Sequence, residues 1–196
     1  MIELLKSRCG FVAVLGAPNA GKSTLINELV GAKVSIVTHK VQTTRIRIMG
    51  IAKKDESQVV FIDTPGIFEP RRRLDRAMVE AAWRGANDAD RIMLVVDAKR
   101  GMDRDTARIV KGLGKSKRTA ILVLNKIDLV ERKDLLALVA EFNASENFDE
   151  TFMISALKGD GVADILCRLA GLLPKGPWMF PEDQLSDLPQ RLMAAE

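Results

Sequence analysis

Long hydrophobic runs are missing from this sequence. No apolar stretch approaches the roughly 18 residues needed to cross a bilayer, which argues against a membrane-spanning helix. Cysteine is scarce: Cys9 and Cys167 lie far apart, with no CxxC and no paired spacing. Two unpatterned thiols fit a reducing cytoplasm better than a disulfide framework. Internal repeats and low-complexity tracts are absent as well, which sets repeat architectures aside. The opening residues, Met1 to Arg8, read as too short and too charged for a secretory signal.

What is present is ordinary globular composition, 47% hydrophobic and 29% charged over 196 residues, enough for one well-buried core and short for two complete domains. Lys plus Arg exceed Asp plus Glu by 30 − 26 = 4, a mild basic bias compatible with a polyanionic partner.

Short β-branched runs alternate with longer helical stretches. That pattern predicts a mostly parallel six-stranded sheet with helices on both faces. Strands are expected at Phe11–Leu15, Arg45–Ala52, Gln58–Ile62, Ile92–Val96, Ala120–Leu124 and Thr151–Ile154. The second and third, joined by a six-residue turn Lys53–Gln58, form a hairpin that makes one strand antiparallel. Helices are expected at Lys22–Val30, Leu74–Asn87, Asp103–Leu113, Lys133–Asn143 and Val162–Leu173, with Met78, Val79, Ala82, Ile109 and Leu113 facing the core. Three prolines and a glycine in Pro174–Pro181 end the last helix, so residues 1–173 read as the domain and 174–196 as a linker and the start of a further segment. Leu188, Leu192 and Met193 would share one side of a short helix there.

Gly16-Ala17-Pro18-Asn19-Ala20-Gly21-Lys22-Ser23 matches G-x-x-x-x-G-K-[ST] and lies between a predicted strand and a predicted helix, the context such a loop requires. The glycines let successive backbone N–H groups of Asn19, Ala20, Gly21 and the residues through Thr24 face phosphate oxygens, helped by the helix dipole. Lys22 brings a point charge to the outer phosphates and Ser23 a hydroxyl to Mg²⁺. Asp63-Thr64-Pro65-Gly66 follows an apolar strand; Asp63 can hold Mg²⁺ through water and the Gly66 N–H can sense the γ-phosphate. The most discriminating signal is Asn125-Lys126-Ile127-Asp128. The Asp128 carboxylate can accept from guanine N1–H and its exocyclic amine together, whereas adenine leaves it unpaired. Lys126 should cover the loop and Asn125 should tie it to the phosphate loop. Ser155-Ala156-Leu157-Lys158 fits the backbone loop that meets the guanine carbonyl, a weak signal by itself. In this order, each motif at a strand end, they point to a P-loop NTPase that binds and hydrolyses GTP.

The stretches Gly16 to Asn27, Gln42-Thr43-Thr44-Arg45 and Asp63 to Ile67, with the tail Phe180 to Asp187 and Gln190 to Ala194, resemble the Era family over nearly the whole chain. The resemblance implies a GTPase switch using GTP/GDP and Mg²⁺. It also implies a role with 16S rRNA and the small ribosomal subunit, and peripheral association of a cytoplasmic protein with the inner membrane. Members of the family continue into an RNA-binding KH domain. No Gly-x-x-Gly loop occurs after the linker, so the chain is expected to be the GTPase part of such a protein, shortened before that domain.

Gly31 to Thr44 is long for a connection and reads as a segment ordered by GTP. Thr43 or Thr44 would reach Mg²⁺ there, with Thr44 preferred. His39, the one histidine, reads as solvated, since GTP hydrolysis needs none. Ile67 occupies the place where many GTPases put a water-orienting glutamine. Catalysis must therefore draw on Lys22, Thr44, Gly66 and something further. In relatives with an Asn at the position of Asn19, the family implies K⁺ near the β–γ bridging oxygen; as a plain turn residue, Asn19 explains itself equally well. Arg71, Arg72, Arg73 and Arg76 read first as a solvated face and second as an RNA-phosphate contact. Trp83 and Trp178 carry no motif.

Overall fold

The computed structural model of the chain describes residues 7–31, 47–63, 83, 85, 86 and 88–180, with the backbone alone at 47–49 and 63. Among these, six strands form one sheet: β1 (Arg8–Leu15), β2 (Arg47–Lys54), β3 (Ser57–Asp63), β4 (Arg91–Asp97), β5 (Ala120–Asn125) and β6 (Phe148–Met153), in the order β2-β3-β1-β4-β5-β6. β1 pairs in parallel with β3 and β4, β5 in parallel with β4 and β6, and β2 alone is antiparallel. The parallel strands run the same way, so Leu15, Asp63, Asp97 and Asn125 finish along one edge of the sheet. Open α/β sheets bind ligands at that edge.

Period-two alternation sorts the strand residues onto two faces. Val12, Val14, Val59, Phe61, Met93, Val95, Ile121 and Val123 pack with Leu25, Ile26 and Leu29 of helix α1 (Lys22–Val30) and Ile165 and Leu169 of helix α4 (Val162–Leu172). Ala13, Leu15, Ile92, Leu94, Val96, Leu122 and Leu124 pack on the other face with helix α2 (Arg104–Ser116), through Ile109, Val110 and Leu113, and helix α3 (Arg132–Asn143), through Leu135, Leu138 and Phe142. Each such Leu, Ile or Phe contributes about 1.5–3 kcal/mol through burial. Asp103 caps α2, its carboxylate accepting from Thr106 N at 2.8 Å. Ile109 and Leu113 are core residues, and Trp83 packs partly buried against the same cluster. The expectations for Met78, Val79 and Ala82 lie outside the described residues.

Three of the boundaries that differ from expectation have a clear structural reason. β1 starts at Arg8 rather than Phe11, because Arg8, Cys9 and Gly10 pair with Ser57, Gln58 and Val59 although their side chains carry no strand pattern. The hairpin turn is two residues, Asp55 and Glu56, and not six: Lys53 pairs with Gln58 and Lys54 with Ser57, with Asp55 at φ 50 making the reversal. β6 starts at Phe148 rather than Thr151. Phe148 pairs with Ala120 and Glu150 with Ile121, an edge strand whose outer positions tolerate charge.

The start of the proline-rich segment is part of the packed domain. Pro174 O accepts from Cys9 N at 3.2 Å, Lys175 bridges Arg8, and Trp178 Nε1 donates to Glu56 O at 3.1 Å beneath Lys53, whose Nζ sits 4.7 Å from the ring centroid. Gln58, fully buried on β3, is the clamp. Its Nε2 donates to Phe180 O at 2.8 Å while its Oε1 accepts from Met179 N and Phe180 N, both at 3.1 Å. Cys9 Sγ also donates to that Oε1 at 3.4 Å, and burial pushes the Cys9 thiol above its ordinary pKa. Both cysteines are free.

Candidate nucleotide-binding site

The phosphate loop leaves the end of β1 and enters α1. Lys22 Nζ donates to Gly16 O at 3.0 Å and Ala17 O at 2.9 Å, so the loop curls around the ammonium group. Gly16 and Gly21 leave no room for a Cβ: one would stand 2.5 Å from Val95 O at Gly16 and 2.3 Å from Asn125 Nδ2 at Gly21, where φ is also 93°. Asn19 sits in the left-handed region at φ 63. The first turn of α1 carries no acidic residue and no side-chain cap, so its N-terminal amides are not neutralised from within. Ser23 and Thr24 lie exposed in that turn. A phosphate chain fits such a cradle.

Asn125 ends β5, buried, and joins three segments. Its Nδ2 donates to Ala20 O at 3.0 Å, and its Oδ1 accepts from Lys126 N at 2.8 Å and Ala156 N at 3.0 Å. One amide thus fastens the phosphate loop to the Ser155–Leu157 loop, and its two ends must donate and accept, which suits Asn and not Asp. Lys126, at φ 64, extends Nζ to Asn19 O at 2.8 Å and Asp97 Oδ2 at 2.7 Å. Asp128 follows in a short 3₁₀ turn, Ile127–Leu129, its side chain 14% exposed and Lys158 Nζ 3.9 Å away. Its carboxyl is held below the ordinary carboxylate pKa, first by the neighbouring Ser155 hydroxyl and less by Lys158. Ser155 Oγ is itself buried, with no full hydrogen bond among the described residues. A buried donor left open costs about 1–3 kcal/mol, which a ligand or water at this loop would recover. Ala156 is buried and Leu157 is 83% exposed.

Asn19, Ala20, Gly21, Lys22, Ser23 and Thr24 therefore share one edge of the sheet with Asn125, Lys126, Asp128, Ser155, Ala156 and Leu157. Asp63 ends β3 on the same edge by its backbone. His39, Thr43, Thr44, Gly66, Ile67, Arg71, Arg72, Arg73 and Arg76 lie outside the described residues. Two neighbours escaped the sequence reading: Asp97, at the end of β4, and Arg100, whose Nη1 donates to Pro18 O at 3.3 Å. An acid closing an apolar strand was the available signal for Asp97, the same one that singled out Asp63.

Fold and site define a P-loop GTPase domain. A family described as a 50S ribosome-binding GTPase matches residues 11–126, and the chain belongs to that family. Among curated relatives, the GTPase Era of Sinorhizobium medicae is 61% identical over 190 residues, 97% of this chain and 61% of its own. The GTPase Era of Agrobacterium fabrum is 59% identical over 192 residues, 98% and 61% of the two chains. Among solved structures, Aquifex aeolicus Era bound to GDP.AlF4- superposes with TM-score 0.76 at 40% identity, covering 96% of this chain and 64% of that one. Era in complex with MgGDPNP and nucleotides 1506–1542 of 16S ribosomal RNA gives 0.78 at 40%, covering 96% and 65%. The chain spans about three fifths of the length of the curated relatives it matches.

Proposed function

We propose that this chain binds GTP and GDP and hydrolyses GTP to GDP and phosphate, as the switch part of an Era-type protein that acts with 16S rRNA in small-subunit assembly. The observation that carries the reading is the Asn125 clamp, which locks the phosphate loop to the loop bearing Asp128 and so joins phosphate binding to base selection. Backbone amides from Asn19 to Thr24 and the Lys22 ammonium hold the phosphates, and the Asp128 carboxylate reads guanine. Ser23, Asp63 and Thr44 would hold Mg²⁺, which when bound neutralises charge on the β- and γ-phosphate oxygens. Gly66 would report the γ-phosphate. Solved relatives carrying MgGDPNP and GDP.AlF4- support guanine nucleotide and Mg²⁺ as ligands, and the one carrying 16S RNA supports that partner. Association with the inner membrane would be peripheral; no helix among the described residues is long and apolar enough to cross a membrane.

Ile67 cannot orient the attacking water, so catalysis draws on something further, and we propose K⁺ beside Asn19, where it would stabilise charge developing near the β–γ bridging oxygen. The test compares GTP, GDP and ATP binding, then measures phosphate release at constant ionic strength in K⁺ and in Na⁺. GTP and GDP should bind and ATP should not; release should be faster in K⁺, and Asn19→Ala should abolish the difference. Equal rates in both salts would sink the cation role and leave Asn19 a turn residue. Ile67 also favours a second reading, a GTP-binding module that hydrolyses little, which negligible single-turnover release in either salt would favour.

RNA binding by residues 1–196 should be weak and indifferent to sequence. Selective readout of single-stranded RNA needs a surface that splays and hydrogen-bonds bases, and the sequence from Pro181 to Glu196 holds no Gly-x-x-Gly loop to build one. Phosphate attraction from a net charge of +4, partly through Arg71, Arg72 and Arg73, is what remains, and such contacts fade steeply with salt. Anisotropy titrations should show affinity collapsing between low and physiological salt, equally for scrambled RNA. Tight, selective binding at physiological salt would contradict this.

A further inference from the structure

β4 and β5 finish side by side, Asp97 paired in register with Asn125 and Ala98 N donating to Asn125 O at 2.8 Å. The residue after Asn125 is Lys126, whose left-handed backbone lets its side chain reach the phosphate loop. Its ammonium group is held from two directions, by Asn19 O at 2.8 Å and by Asp97 Oδ2 at 2.7 Å. Asp97 is anchored in turn, its Oδ1 accepting from Lys99 N at 3.0 Å, and its side chain is 12% exposed against 31% for Lys126. The ion pair is thus half-shielded and rigid at one end, unlike the exposed Lys133–Glu131 pair.

We propose that Asp97 is a positioning residue for the nucleotide: it fixes Lys126 across the phosphate loop before the nucleotide arrives and, through Asn19 O, holds that loop in its binding form. The inference rests on reading this edge as the guanine-nucleotide site. Two consequences of the Asp97 charge oppose each other. As a bystander, a carboxylate beside a polyanionic ligand repels it, so removing the charge would tighten binding. As the anchor of Lys126, it removes the freedom of a four-bond side chain in advance, so removing it loosens binding. The contact geometry favours the anchor, because the carboxylate is already neutralised by the ammonium at 2.7 Å.

The experiment measures dissociation of fluorescent GDP from the unaltered chain, Asp97→Asn, Asp97→Glu, Lys126→Met and the double variant Asp97→Asn/Lys126→Met. Asp97→Asn should release GDP about tenfold faster, the change expected on losing one charge-assisted contact. Asp97→Glu should recover part of the loss. In the Lys126→Met background the same change should have no further effect, since its target is gone. Unchanged or slower release in Asp97→Asn, or losses that multiply in the double variant, would overturn the proposal. Hydrogen exchange at residues 17–21 without nucleotide reads the loop directly: faster exchange in Asp97→Asn and in Lys126→Met is expected, and unchanged exchange overturns the inference. That second arm decides it even if the unaltered chain holds no GDP, an outcome that would refute the functional reading instead.

Discussion

Asp128→Asn should turn a guanine-nucleotide site into a xanthine-nucleotide site. Guanine offers two donors on one edge, N1–H and the exocyclic amine, and a carboxylate accepts both. An amide at the same place keeps one acceptor and gains a donor, which suits the carbonyl that xanthine carries where guanine has its amine. Each charge-assisted bond lost is worth roughly 1.5–3 kcal/mol, so two of them correspond to about a hundredfold loss of GTP affinity at the low end. The neighbourhood is built for the charged form. The Ser155 hydroxyl and Lys158 both hold the Asp128 carboxyl below its ordinary pKa, so it is ionised throughout the neutral range. Isothermal titration with GTP and xanthosine triphosphate checks the exchange; GTP affinity unchanged in the variant would remove Asp128 from the base site.

Lys22→Ala should weaken both nucleotides, GTP about a hundredfold or more and GDP about tenfold or more. The ammonium group sits in the hollow of the loop, donating to Gly16 O and Ala17 O, where phosphate oxygens shared by both nucleotides would meet it. A charge-assisted contact to a phosphate oxygen is worth roughly 1.5–3 kcal/mol, and GTP offers this group two outer phosphates where GDP offers one. Competition binding with labelled GDP measures the loss. Normal GDP binding by Lys22→Ala would mean that the group does not touch phosphates common to the two nucleotides.

Much of this was legible in sequence because the signals are local. The loop Gly16–Ser23 is a run in which every required residue is a neighbour of the next. Continuous apolar runs such as Val12-Ala13-Val14-Leu15 declare a buried strand without help from elsewhere. Asn125 and Asp128 carry their chemistry in their own side chains, so their types and spacing were enough to raise the expectation of base selection. Elements that depend on a partner were harder. The first residues of β1 and β6 are strand only because Ser57–Val59 and Ala120–Ile121 offer hydrogen bonds, and Asp149 and Glu150 argue against a strand in isolation. Trp178 carried no motif and reads as an isolated aromatic in a proline-rich stretch. Its role emerges only when Glu56 O and Lys53 lie beside it.

Determined by the sequence alone were the class of sheet, the order of the motifs, the phosphate cradle and the expectation of guanine over adenine. These come from residue types and from spacings of a few positions, where covalent connection sets distance. The tertiary structure decided which of those residues meet. Ala20, Asn125 and Ala156 span 136 positions of chain, and one buried amide brings them together; so does the meeting of Asn19, Asp97 and Lys126. Gln58 likewise waits for residues 179 and 180, more than a hundred positions on, to satisfy both ends of its amide. The physical reason is common to all three. A hydrogen bond between distant residues has no signature in either partner's local sequence, and it becomes strong only after the packed sheet has removed water from around it.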